Sequence, residues 1–392
     1  MCAKEIALRY GVNPHQKPAR AYVKAGELPF RALNGAPGYI NLMDLLNGWQ
    51  LVRELKEATG LPAAASFKHV SPAGAAIGAP MSPAVAQSSF ADDMELTPLA
   101  TAYARARGAD RMSSFGDAIA LSDPCDIATA KLIRREVSDC VVAPAYEQGV
   151  VDILKEKSGG RYLVLEMNPK YEPASPIETR EIFGIALEQP RNTYRITDAM
   201  LAKVVTQRKD FPAEAKRDIV VGTIALKYTQ SNSVGFSYDG QVIGMGAGQQ
   251  SRLHCVRLAA SKADLWHLRQ HPCVLALKFR KQVGRADRNN AIEQFLTDDV
   301  ALFDTGAWKE VFAKRPDRLS AEEKRAWLDS RKGVSLSSDA FFPFRDSIDR
   351  AAKSGVSYVL EPGGSARDAD VIAAADEYGM AMAFSGVRLF HH

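Results

Sequence analysis

The sequence predicts an α/β fold in which one unit occurs twice and the second copy carries a helical insertion. Three observations predict it. Between Asp110 and Pro144 the pattern alternates strand, helix and strand: Asp110 to Asp117, a helix through Thr129 to Arg135, and the apolar run Cys140 to Pro144. The same order returns near the end. There Ser337-Ser-Asp-Ala-Phe-Phe-Pro-Phe-Arg-Asp346 echoes Ser113-Ser-Phe-Gly-Asp117, ahead of a helix from Ile348 and a strand Val356 to Leu360. The stretch 262–332 has helical periodicity instead, with Trp266, Trp308 and a capping box at Ser320-Ala-Glu-Glu323.

Taken in order, residues 1–60 open with Gly/Asn/Pro turns at Arg9 to His15 and Asn34 to Gly38, followed by an apolar-periodic helix from Leu42 to Leu55. Pro62 to Phe67 is a short buried strand, and Pro72 and Gly74 break the chain after it, which puts Lys68 and His69 at a strand end. Thr97 caps a helix with Pro98 at its first position, closing at Gly108. Pro-rich, aperiodic residues 168–177 mark a domain boundary. The expected units are therefore 1–170, then 171–261 with 333–392, with 262–332 as an insertion that packs on its own domain or supplies dimer contacts.

Of 392 residues, 46% are hydrophobic and 24% charged, which excludes a disordered or fibrous chain. Lys plus Arg number 50 against 46 Asp plus Glu, without a single-sign block, so no nucleic-acid surface is expected. No window approaches the roughly 18 apolar residues that cross a bilayer, and Met1 to Arg9 has no apolar core, so no membrane partner and a cytoplasmic location are expected. Cys2, Cys125, Cys140, Cys255 and Cys273 are odd in number and widely spaced, and they read as reduced, mostly structural thiols.

Four segments gather polar groups at turns: Arg9 to His15, Lys68-His69, Ser231 to Arg252, and Asp339 to Asp346. Lys68 beside His69 pairs a fixed cation with an imidazole that titrates near neutrality, a combination suited to removing a proton beside developing negative charge, although most such dipeptides are solvated surface. Gln241-Val-Ile-Gly-Met-Gly-Ala-Gly248 leads a strand into a helix; its glycines either admit an anion at the helix start, with Arg252 one turn in, or simply make a tight turn. With Gln249 where a third glycine belongs, it is no dinucleotide fingerprint. Asn232, between Ser231 and Ser233, holds a polar substrate group or closes a turn. Phe341, Phe342 and Phe344 form a wall for a flat heterocycle, with Asp346 accepting from its N–H groups, or they are core. Arg388 to His392 reads as a tail. A P-loop, a Gly-x-Ser-x-Gly elbow, a His-Glu-x-x-His helix and the zinc deaminase signature are all missing, so a catalytic metal is not expected.

Read together, Leu8-Arg-Tyr-Gly-Val-Asn-Pro-His-Gln16, Ser66-Phe-Lys-His-Val-Ser-Pro-Ala-Gly74, Arg111-Met-Ser-Ser-Phe-Gly-Asp117, Gln230-Ser-Asn-Ser-Val234, Gly246-Ala-Gly-Gln-Gln-Ser-Arg252, Ser338 to Asp346 and Arg388-Leu-Phe-His-His392 resemble, in order and over essentially the whole chain, the AICAR transformylase family, the formyltransferase half of a bifunctional purine-biosynthesis enzyme. The resemblance implies duplicated cytidine-deaminase-like three-layer units without the deaminase zinc. It also implies transfer of a formyl group from the co-substrate 10-formyltetrahydrofolate to the 5-amino group of AICAR, giving formyl-AICAR and tetrahydrofolate in cytosolic synthesis of inosine monophosphate (IMP).

By motif, the resemblance makes His69 the base that takes the amine proton and Lys68 the group that steadies the oxyanion or the leaving nitrogen. It assigns Arg9, Tyr10 and Arg388 to the nucleotide, with the two arginines at its phosphate, and matches Asn41, Gly116, Asp139, Asn232, Arg252 and Phe341 to other nucleotide contacts. Leu253, Asp346, Ser365 and Ala366 fall on the folate side, with Asp346 at the pterin edge. A homodimer with shared active sites is implied, as is a structural potassium ion near Thr229, Ser231, Ser233 and Asp339, where hydroxyls capping turns are the other explanation. The family's usual cyclohydrolase domain has no counterpart in this sequence, so ring closure is expected to need a separate IMP cyclohydrolase. Leu253 and Pro362-Gly-Gly-Ser365 depart from the family's folate side. Two other readings compete: a binding module without chemistry, which the adjacent Lys68 and His69 argue against, and a formyltransferase using formate and ATP, which the missing P-loop argues against.

Overall fold

Residues 4–297 and 305–392 are described by the structure, a computed structural model. Strands β1 (Glu5–Leu8) and β2 (Ala19–Tyr22) pair as a separate ribbon, and β3 (Phe30–Asn34) follows. Next come α1 (Tyr39–Thr59), β4 (Ala63–Lys68), β5 (Ser71–Ile77), α2 (Pro83–Ser88), α3 (Pro98–Gly108), β6 (Asp117–Leu121), α4 (Ile127–Arg135), β7 (Ser138–Ala143), α5 (Val150–Lys155) and β8 (Leu163–Met167). An exposed ribbon of β9 (Ile177–Ile182) and β10 (Ile185–Pro190) separates these from α6 (Ala213–Lys227), β11 (Val234–Tyr238), β12 (Gln241–Gly246) and α7 (Arg252–Leu268). The chain ends with β13 (Val334–Ser338), helix Asp346–Ala352, β14 (Val356–Glu361), helix Asp368–Glu377 and β15 (Ala381–Phe384).

One mixed sheet of 11 strands unites both halves in the order β15-β14-β13-β11-β12-β5-β4-β6-β7-β8-β3. Its directions repeat. From β5 outward the neighbours β4, β6, β7 and β8 join antiparallel, antiparallel, parallel and parallel; from β12 outward β11, β13, β14 and β15 join in the same succession. A helix precedes each inner hairpin and another follows it, so α1-β4-β5-α3 corresponds to α6-β11-β12-α7. The halves meet at β5 and β12, where the ladder has one register pair, Gln241 opposite Ala76.

Side-chain alternation makes three layers. Ala63, Ala65 and Phe67 of β4 pack with Leu45, Val52 and Leu55 of α1 and with Ile224 of α6, in a core shared by both halves. Ala64 turns to the opposite face, against Leu99, Ala102 and Tyr103 of α3. Thr97 caps α3 by accepting from the Ala100 amide at 3.1 Å, as its sequence predicts.

Three details differ from the sequence reading. Asp110 to Gly116 is a turn, and the strand begins at Asp117. The echo between Ser113–Asp117 and Ser337–Asp346 is offset by a strand, because the first segment precedes β6 whereas the second ends β13 and continues beyond it. Helix α7 runs unbroken through position 262; beyond it Val274, Ile292, Phe295, Phe312, Leu319 and Leu328 form a small core with Leu268. Among the described residues no helix is long and apolar enough to cross a membrane. Cys125, Cys140 and Cys255 are buried and Cys273 is exposed, all four as free thiols; Cys2 lies outside the described residues.

Candidate active site

The β4–β5 hairpin turns through two residues, His69 and Val70, with φ of 53° and 60°. Such a turn needs left-handed backbone at both positions, which Asn-Gly or Asp-Gly supplies readily and a β-branched valine does not. The corresponding β11–β12 turn uses Asp239-Gly240. Each turn is held by a buried carboxylate from the preceding helix: Asp44 of α1 accepts from the Val70 amide at 2.6 Å, and Asp218 of α6 accepts from the Asp239 and Gly240 amides at 2.8 and 2.7 Å. Burial pushes the Asp44 carboxyl above its ordinary range, opposed by the Val70 amide and by the charges of His69 and Lys68. Strain therefore sits in the first hairpin, where it presents His69 to solvent.

Lys68 Nζ donates to the Gly116 carbonyl at 2.8 Å. Gly116 has φ +72°, and a Cβ there would stand 2.9 Å from Lys68 Nζ and 3.5 Å from Asp139 Oδ1, so only glycine leaves room for the ammonium. A buried network fixes the segment. Asp117 accepts from Ser66 Oγ at 2.7 Å and from Arg107 at 2.6 Å, and Arg107 with Arg111 grips Glu136. Asn41 lies nearby, but its amide oxygen accepts from the Gly38 N–H at 3.2 Å and so serves the first turn of α1.

A second cluster faces the hairpin, because the Gln230 amide donates to Ser71 Oγ at 3.3 Å. Its centre is Asp339, fully buried, paired with Arg252 at 2.5 Å. Ser231 Oγ, Ser233 Oγ and the Ser233 amide donate to Asp339 Oδ2 at 2.6, 2.9 and 2.9 Å. Arg252 also donates to the Ser233 carbonyl and to Asn232 Oδ1, both at 2.8 Å; at 7% exposure its guanidinium holds Asn232 in place. Thr229 Oγ1 donates to the Ala225 carbonyl at 2.7 Å. Both Asp339 oxygens accept hydrogen bonds and its charge is balanced by Arg252, so these side chains tie the turns together. Gly244 and Gly246 admit α7 onto β12, since a Cβ on either would meet a helix carbonyl at 2.2 Å.

Residues 388–392 are no free tail. The Leu389 amide donates to the Asp339 carbonyl at 2.9 Å, and His391 exchanges hydrogen bonds with Ser231, which fixes exposed Arg388 beside the second cluster. Phe341, 42% exposed, and Phe344 face outward whereas Phe342 is core, so the three rings do not form one wall. Half-buried Asp346 opens the helix after β13, half-buried Ser365 and exposed Ala366 lie on the loop after β14, and half-buried Leu253 follows Arg252. Among the described residues, no hydrogen bond or ion pair ties Arg9 or Tyr10 to either cluster; the Arg9 guanidinium lies 5.7 Å from the Tyr10 ring. Sequence reasoning passed over Asp44, the Arg107 network and a cavity of about 940 Å³ lined by Tyr22, Phe30, Leu46, Trp49, Arg53 and Tyr194, which none of the predicted site residues reaches.

A family model described as AICARFT/IMPCHase bienzyme matches residues 1–262. The bifunctional purine biosynthesis protein PurH of Cereibacter sphaeroides strain ATCC 17029 is 33% identical over 390 residues, covering 98% of this chain and 59% of that relative. The proteins of the same name from strains ATCC 17023 and ATCC 17025 are also 33% identical, over 390 and 391 residues with the same coverage. The chain thus spans 59% of the length of these curated relatives.

Proposed function

Because this chain belongs to the AICARFT/IMPCHase bienzyme family, whose relatives include purine-biosynthesis enzymes, we propose that it transfers a formyl group from 10-formyltetrahydrofolate to the 5-amino group of AICAR. The observation that supports this most is the strained His69-Val70 turn, which holds an exposed imidazole on the residue after Lys68, in a hairpin that the segment before Asn232 touches at Ser71. Nucleotide binding alone needs no such strain.

In this reading the amine nitrogen attacks the formyl carbon while His69 accepts its proton. The Lys68 ammonium balances charge on the formyl oxygen. The carbon–N10 bond then breaks, N10 takes up a proton, and formyl-AICAR and tetrahydrofolate leave. An aromatic amine beside a carboxamide is a weak nucleophile, so each assistance is worth about 10² or more in rate. Arg388 takes the phosphate, Asn232 and Phe341 contact other parts of the nucleotide, and Leu253, Asp346, Ser365 and Ala366 face the folate. The repeated unit is read as cytidine-deaminase-like. Arg9 and Tyr10 also hold the nucleotide, Arg9 with Arg388 at its phosphate, and the sites are shared between the two copies of a homodimer. No step passes through potassium.

The test mixes purified protein with AICAR and 10-formyltetrahydrofolate and follows tetrahydrofolate release and product mass, with Lys68→Ala as control. Formyl-AICAR as the final product supports the reading. AICAR binding without turnover by the wild type refutes it in favour of a binding module.

A further inference from the structure

Glu361 ends β14 and is fully buried, yet among the described residues no cation bonds to it. Its Oε2 accepts from the Phe342 amide at 2.8 Å, and the Gly363 amide also stabilises its charged form. Its Oε1 is buried with no hydrogen-bond partner. One side chain thereby touches the backbone of two loops, the one after β13 and the one after β14. Both loops are otherwise anchored: Phe342 is in the core, and a Cβ at Gly363 would stand 2.6 Å from the Phe384 ring. Further out, the Arg367 guanidinium lies 5.4 Å from the Phe344 ring.

We propose that Glu361 is a positioning residue for the folate co-substrate, fixing the spacing of the loop that leads from β13 into Asp346 and the loop that carries Ser365 and Ala366. This rests on the folate assignment made above. It goes beyond that assignment because Glu361 itself touches no substrate and acts through the loops it joins.

The surroundings give this staple a pH dependence. Burial, with Asp368 adding to it, pushes the carboxyl up to about 8 against the pull of the Phe342 and Gly363 amides and of Arg252. Those two charged groups, Asp368 on the helix after β14 and Arg252 on α7, are the ones that bear on it, and neither is within hydrogen-bonding reach. At neutral pH the side chain is mostly a neutral acid, which a closed apolar site tolerates. Above about 8 it becomes a buried carboxylate without a contacting cation, and relief comes from parting the loops to admit water.

The experiment compares the wild type with Glu361→Gln, which keeps shape and an acceptor, and Glu361→Ala. It measures the KM of each substrate at about pH 7 and about pH 9, together with amide exchange of residues 340–345 and 362–366. The wild-type folate KM should rise by about fivefold toward the higher pH and the AICAR KM by less than about twofold. Glu361→Gln should keep the low folate KM at both pH values, and Glu361→Ala should have the raised one at both, with faster exchange in the two loops. An alkaline rise that persists in Glu361→Gln, or a wild-type folate KM in Glu361→Ala, overturns the proposal. Absence of formyl transfer by the wild type refutes the folate reading instead, and exchange then decides the staple alone: unchanged loop exchange in Glu361→Ala overturns it.

Discussion

Asp44 is the residue whose removal best separates strain from scaffolding. Two successive left-handed residues, one of them β-branched, cost on the order of 2–4 kcal/mol. A backbone amide bonded to a carboxylate offsets roughly 1.5–3 kcal/mol of that. The two terms nearly cancel, so the 2.6 Å bond from the Val70 amide decides whether the turn keeps its shape. Asp44→Ala should lower unfolding free energy by about 2–3 kcal/mol in urea titrations and reduce kcat by about tenfold or more, with the AICAR KM within about twofold. Asp44→Asn keeps an acceptor oxygen and should stay within about 1 kcal/mol of the wild type. The duplicated unit supplies the control. Asp218→Ala removes the matching cap from the Asp239-Gly240 turn, at the end of the sheet where the Gly240 carbonyl accepts from Ile77, and should cost similar stability while leaving kcat alone. Wild-type kcat in Asp44→Ala, or an equal loss of kcat in Asp218→Ala, would sink the idea that the strained turn positions His69.

Other outcomes follow from the same geometry. His69→Ala should lower kcat by about 10² to 10⁴ with little change in AICAR affinity measured by calorimetry. Gly116→Ala places a methyl 2.9 Å from Lys68 Nζ at φ +72°; displacing the ammonium should reduce kcat by about tenfold or more, and a fully active variant would remove Lys68 from the mechanism. Arg388→Ala should raise the AICAR KM more than it changes kcat, since a remote phosphate contact mainly provides binding. His267 is buried, and desolvation with Arg331 pushes its pKa down from 6.5 to about 3. The unfolded chain takes up this proton below 6.5 whereas the folded one does not until about 3, so urea stability should fall by up to about 1.4 kcal/mol per pH unit across that window. His267→Phe should flatten that slope, and an unchanged slope would assign it to other groups.

Local rules made much of the fold legible. Helix α1 follows from the spacing of Leu42, Leu45, Trp49, Val52 and Leu55, and β4 from an apolar run ended by Pro72 and Gly74. The Asp239-Gly240 pair is a hairpin signal in plain sight. The turn at His69-Val70 was not legible, because neither residue favours it and the group that holds it is 26 positions away. Nor does sequence distinguish an exposed Arg252 from one locked onto Asp339, 87 positions on; that depends on which strands become neighbours. The Ser-rich segments near 113 and 337 look alike for the same reason that misaligned them: small hydroxyl residues suit both ends of a buried strand. The proposed reaction rests in sequence only on the ordered motifs, since no single segment names a substrate.

The line between β5 and β12 has one register pair, whereas every other pair of neighbours in the sheet has four or more. Lys68 and His69 stand on one side of that line, and Asn232, Arg252 and Arg388 on the other. In the proposed reading the reacting groups are thus carried by two bodies that share one register pair along this line, beside a common core and the Arg105 bonds to Asp239 and Gln241. A slight slide between those bodies changes the distance from base to nucleotide while leaving intact the hydrogen bonds within either one. Substitutions in the core that α1 and α6 share, at Val52, Leu55 or Ile224, can therefore adjust the site without altering Asn41 or Asp44 themselves.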